Sequence, residues 1–114
     1  MRLGRTFYFD SSHYLPDYDG KCEKHHGHTY RLDIIIEGPI ADDGMVLDFG
    51  KLKEKVDRLV LTDLDHACLN DIVGNPTAEN IAEWIWERLS AELPMQSVRL
   101  WEGKGKWVEK RCAL

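Results

Sequence analysis

From about Arg5 to His13 the chain alternates. Phe7, Phe9, Ser11 and His13 fall on one side, with Thr6, Tyr8, Asp10 and Ser12 on the other. A period of two predicts a strand. The polar stretch Pro16 to Lys24 carries Asp17, Asp19 and Gly20 and reads as a loop. A second alternating run, about His26 to Glu37, places Tyr30, Leu32, Ile34 and Ile36 on one face and Arg31, Asp33 and Glu37 on the other. The period then changes. Phe49, Leu52, Val56, Leu59 and Val60 recur at helical spacing behind Asp48, predicting an N-capped helix over about 49–61. Residues 63–76 read as a loop. Thr77 caps a second helix whose stripe is Ala78, Ile81, Ala82, Ile85 and Leu89, and Pro94 ends it. Two short strands close the pattern, one with Val98, Leu100 and Glu102 on a shared face and one over 107–111, separated by Gly103-Lys104-Gly105.

The order β-β-α-α-β-β predicts an α+β fold, an antiparallel four-stranded sheet with two helices on one face. With 114 residues the chain is expected to form one domain, 1–114. Ile35, Tyr8 and Trp101 fall out of phase with the apolar faces, a hint of subunit contact on the opposite sheet face. A hydrophobic fraction of 43% suits a globular domain, and a net charge of -5 argues against non-specific nucleic-acid binding. No apolar run reaches the roughly 20 residues of a membrane span, and the N-terminus lacks a signal-like apolar stretch. Three cysteines without paired spacing, Cys22, Cys68 and Cys112, suit a reduced cytoplasmic setting.

His26-Gly27-His28 puts two imidazoles on one strand face. Antiparallel pairing would bring His13 beside them, making a three-nitrogen site with an open fourth position, as in catalytic zinc. Clustered surface histidines are the alternative, and nickel, cobalt or iron also accept imidazole. His25 points to the other face and reads as solvent-facing or loop. Cys22, beside Lys21 and four residues before His26, is a base or nucleophile, a fourth ligand, or inert. Asp65-His66 is a proton-transfer pair or two polar loop residues. Glu102 ends an apolar stripe as a solvated rim carboxylate, or as an acceptor for the adjacent N–H and amino groups of a pterin or guanine.

Together these segments resemble the 6-pyruvoyltetrahydropterin synthase and 6-carboxytetrahydropterin synthase family. The matching stretches are Phe9-Asp10-Ser11-Ser12-His13, Cys22-Glu23-Lys24-His25-His26-Gly27-His28, Gly44 to Phe49, Leu64 to Asn70, Pro76 to Ala82, and Trp101-Glu102. The resemblance implies a tunnelling fold in homohexamers of two stacked trimers, with sites between subunits. It implies zinc on His13, His26 and His28, Cys22 as general base with Asp65 and His66 as proton-transfer partners, and Glu102 as the pterin anchor with main-chain contacts near Thr77. The activity it implies is a carbon–carbon lyase converting 7,8-dihydroneopterin triphosphate to 6-carboxytetrahydropterin, acetaldehyde and triphosphate, in the queuosine and archaeosine pathways. The alternatives are a triphosphate-eliminating pyruvoyltetrahydropterin synthase, an enzyme that cleaves dihydroneopterin to 6-hydroxymethyldihydropterin, or a zinc-binding protein that keeps the fold without turnover. Ser12 stands where the family commonly has a small apolar residue and Gly103 where it has Thr. Lys21, Lys24 and Lys104 are the candidate phosphate ligands.

Overall fold

The computed structural model describes residues 1–15 and 26–113, so Cys22, His25, Lys21 and Lys24 lie outside the described residues. Strands β1 (Arg2–His13) and β2 (His26–Glu37) pair antiparallel along their whole length, from Arg2 opposite Glu37 to His13 opposite His26. Phe7 therefore faces Leu32, and Phe9 stacks on Tyr30 with ring centroids 4.9 Å apart. β1 begins three residues before the expected Arg5. Its first residues, Arg2 to Gly4, lack alternation but pair with Ile35 to Glu37.

Helix α1 (Phe49–Val56) starts at Asp48, whose carboxylate accepts from the N–H groups of Gly50 and Lys51. It runs on past the expected Leu61 through a π-helical turn, Asp57–Leu61, into the short α2 (Thr62–Leu64). Val56, Val60 and Leu64 are four residues apart and all fully buried, so the widened turn keeps the apolar stripe on the sheet. The second predicted helix is α3 (Ala78–Ser90), capped by the Thr77 hydroxyl accepting from Asn80 N–H at 3.1 Å. It packs on β4 (Met95–Glu102) and β5 (Trp107–Arg111).

All of these helices bury their apolar stripes in a single core with the inner sheet face, made of Phe7, Phe9, Tyr30, Leu32, Ile34, Ile36, Val98 and Leu100. Each large side chain fully buried there contributes about 1.5–3 kcal/mol. The sheet order is β3-β1-β2-β4-β5. Five strands, not four, compose it, and it is mixed rather than antiparallel. β3 (Ala67–Cys68), inside the expected loop, runs parallel to β1 and pairs with Ser11 and Ser12. Two residues are too short to show a period. This strand exists because the backbone just before it docks on β1: His66 N–H donates to the Asp10 carbonyl at 2.6 Å.

The outer sheet face is polar and aromatic. Asp33 accepts from Thr6 at 2.7 Å, Trp101 at 2.9 Å and Arg31 at 3.0 Å. Burial alone would raise its carboxyl, but these donors outweigh it and hold the group below the usual range. Of the three out-of-phase residues, Tyr8 is 64% exposed, while Ile35 and Trp101 are half-buried. No helix among the described residues is long and apolar enough to cross a membrane.

Candidate metal centre and flanking groups

The β1–β2 register carries the inner face to its polar end, where Ser11 lies opposite His28 and His13 opposite His26. The three imidazoles meet nearly edge to face, with centroids 4.6–5.0 Å apart. One nitrogen from each lies within 4.8 Å of the others. His13 Nε2 is 3.2 Å from His26 Nε2.

His13 is 1% exposed, and its Nδ1 lies 2.9 Å from the Pro76 carbonyl oxygen. A carbonyl only accepts, so Nδ1 carries the proton and Nε2 presents its lone pair to the cluster. Pro76 precedes the Thr77 cap, so the start of α3 clamps the ring. His28 Nε2 is buried without a hydrogen-bond partner among the described residues; Glu102 Oε1 lies 3.3 Å away but is not aligned to bond it. Burial, chiefly, pushes the His28 pKa down. His13, His26 and Lys106 act in the same direction and Glu102 opposes them. A neutral imidazole with an unused buried nitrogen, facing two others at this spacing, fits a metal ion.

Glu102 reaches the inner face opposite Tyr30 at the end of β4. Beside it is a small cavity of about 190 Å³, walled by Ala78, Lys106, Trp107 and Val108. Thr77 spends its hydroxyl on the α3 cap and its N–H on the Asn75 carbonyl. The next N–H groups, of Ala78 and Glu79, belong to the first helical turn and have no intrahelical partner.

Asp65 and His66 are placed elsewhere, on the β1 side of the sheet. Asp65 Oδ1 accepts from Asp10 N–H at 3.0 Å, and its Oδ2 is 3.7 Å from His66 Nε2. The His66 side chain is 81% exposed on a left-handed backbone, φ 57°. It borders a cleft of about 610 Å³ together with Asp10, Ser12, Gly27, Cys68 and His28 of the histidine cluster. The polar partners described for His66 are Asp10 and Asp65, and it meets His28 only across the cleft.

Two participants escaped the sequence reading. Asp10 holds the Asp65-His66 corner through both backbone groups and accepts from Thr29 at 2.5 Å. Its signal was its place beside Ser11-Ser12-His13. Lys106 is the cation acting on His28, whereas Lys104, a phosphate candidate, lines an outer-face cleft with Tyr8, Arg31 and Trp101. Lys104 sits inside the Gly103–Gly105 turn, whereas Lys106 lies past it opposite Glu102, and that position was the signal separating the two lysines.

The family model described as 6-pyruvoyl tetrahydropterin synthase matches residues 2–112. The chain belongs to this family. A dihydroneopterin monophosphate aldolase of Pyrococcus furiosus is 45% identical to it, over 89% of each chain. The 6-carboxy-5,6,7,8-tetrahydropterin synthase of Haemophilus influenzae is 36% identical, covering 96% of this chain and 97% of that one. The Caenorhabditis elegans 6-pyruvoyl tetrahydropterin synthase structure superposes with a TM-score of 0.88 at 25% identity, covering 99% of this chain and 96% of the other. The 6-pyruvoyl tetrahydropterin synthase fold thus spans the described chain, and the relatives' names make it a pterin-processing enzyme family.

Proposed function

We propose that this chain is a zinc-dependent carbon–carbon lyase acting on the side chain of a dihydroneopterin phosphate. Its first reading is conversion of 7,8-dihydroneopterin triphosphate to 6-carboxytetrahydropterin, acetaldehyde and triphosphate. The observation that carries it is the convergence of three imidazole nitrogens with Glu102 3.3 Å from one of them. Three imidazole nitrogens at this spacing are a donor set suited to catalytic zinc. When bound by His13, His26 and His28, zinc supplies Lewis acidity toward the substrate's side-chain hydroxyls and makes the adjacent C–H more acidic.

The chain's own groups do the rest. Glu102 accepts the ring N–H and the neighbouring amino group as a paired, charge-assisted interaction, fixing the ring relative to the histidines. Cys22, as thiolate, removes the proton. Asp65 orients His66, and His66 returns or relays a proton. His66 is exposed, so it is free to serve the site of a neighbouring copy in a homohexamer of two stacked trimers. Main-chain N–H groups after Thr77 add ring contacts. None of these roles is needed merely to hold metal, which weighs against a non-catalytic zinc protein.

A second reading is retro-aldol cleavage of dihydroneopterin monophosphate to 6-hydroxymethyldihydropterin and a two-carbon phosphorylated aldehyde. The 45% identity with the Pyrococcus furiosus aldolase, over nearly equal lengths, favours it.

The test is to incubate zinc-loaded protein with the triphosphate and with the monophosphate and identify products by mass spectrometry. Carboxytetrahydropterin with acetaldehyde supports the first reading, and hydroxymethyldihydropterin from the monophosphate supports the second. Pyruvoyltetrahydropterin would move the chain to the carbon–oxygen lyases. Intact substrates with metal bound would leave only the zinc-binding role.

A further inference from the structure

The β4–β5 turn sets Glu102 and Lys106 side by side. Gly103 and Gly105 adopt φ 70° and 77°, backbone that other residues resist, and the turn closes with Glu102 N–H donating to the Lys106 carbonyl at 3.0 Å. The pairing Leu100 with Val108 and Trp101 with Trp107 continues to Glu102 opposite Lys106. Directly opposed residues of two strands share a face, so Lys106 stands beside Glu102 on the inner side.

Opposite charges so placed would ordinarily pair. Here Glu102 turns to His28, and Lys106 Nζ makes no ion pair among the described residues. Lys53, Lys55 and Lys110 are all engaged, with Asp57, Glu92 and Glu83. The 190 Å³ cavity shared by Glu102 and Lys106 is otherwise walled by Ala78, Trp107 and Val108 and has no histidine in its lining.

We infer that Lys106 donates to the ring carbonyl of a pterin and thereby sets the site's choice of ring, an inference that rests on Glu102 as the pterin anchor. Along one edge a pterin presents a carbonyl acceptor, then a ring N–H, then an amino group. A carboxylate satisfies the two donors and leaves the carbonyl needing a donor immediately beside it. Lys106 is the cation next to Glu102 on that face. A phosphate partner for Lys106 is separated from a ring carbonyl by comparing the triphosphate with the unphosphorylated ring.

Zinc-loaded wild type, Lys106→Met and Lys106→Arg are titrated by fluorescence with pterin, with neopterin and its triphosphate, and with 2,4-diaminopteridine, which carries an amino group in place of the carbonyl. Loss of a charge-assisted hydrogen bond should weaken pterin binding roughly 10-fold or more in Lys106→Met. Diaminopteridine binding should hold or improve, so the selectivity ratio collapses, and Lys106→Arg should restore most of it. Equal losses for both rings, or none, would overturn the inference, as would weakening confined to the triphosphate. If wild type bound neither ring, the pterin reading of Glu102 would itself be wrong; pterin binding with an unchanged ratio would sink only Lys106.

Discussion

Two histidine-bearing corners of this molecule, His13-His26-His28 and Asp65-His66, read alike in the sequence and differ in the fold. At the first, rings from two strands meet with nitrogens 3.2 Å apart, one ring 1% exposed and tied to a backbone carbonyl. At the second, Asp65 is anchored to Asp10, but the His66 ring is 81% exposed. Strand register assembles the first within one chain. The second is an exposed ring beside an anchored carboxylate.

The largest effect that would sharpen this contrast is expected from His13→Ala. It removes a ligand and leaves the Pro76 carbonyl unmet, so zinc affinity should fall more than 100-fold and stability by about 2 kcal/mol. Metal titration and thermal melting read both, and retained zinc would break the assignment of the cluster.

Next, Cys22→Ala and His66→Ala should each keep zinc and lose turnover by about 10²–10⁴-fold. If the sites are shared between chains, unfolding and reassembling an equal mixture should rebuild about a quarter of them from two intact contributors. A mixture no more active than its components would place Cys22 and His66 in one chain's site.

A pH effect tests the first corner in the metal-free protein. His28 has its pKa lowered, so the unfolded chain takes up a proton first as pH falls. Metal-free stability should therefore decline as pH drops below about 6.5, the ordinary histidine value. His28→Gln should flatten that decline, as urea titrations across pH would reveal, and an unaltered slope would count against the buried neutral ring.

The smallest expected change in stability is for His66→Gly. Glycine relieves a left-handed backbone, so the fold should gain about 0.5 kcal/mol while turnover collapses. A marked loss of stability would show that His66 supports its own chain's fold.

Much of the fold was legible because its elements are long and strictly periodic. Alternation from His26 to Glu37 marked β2 to the residue, and Asp48 and Thr77 cap the helices as their side-chain chemistry suggested. The histidine cluster was legible for the same reason: two residues apart on a strand means one face, and antiparallel order puts the end of β1 against the start of β2. β3 was not legible, since two residues carry no period and its pairing depends on Asp10 meeting His66 from 56 residues away in sequence. Nor was the π-helical turn, a local adjustment that keeps Val60 and Leu64 on the core.

By itself the sequence determined the strand faces, the helix starts, the pairing of His13 with the His26-Gly27-His28 segment, and the family. These follow from local period and chemistry. Only the tertiary structure decided the tautomer of His13, the turn of Glu102 toward His28 rather than Lys106, and the outward placement of His66. Each of those depends on which atoms from distant segments come within hydrogen-bonding range, and no local pattern of residues encodes that.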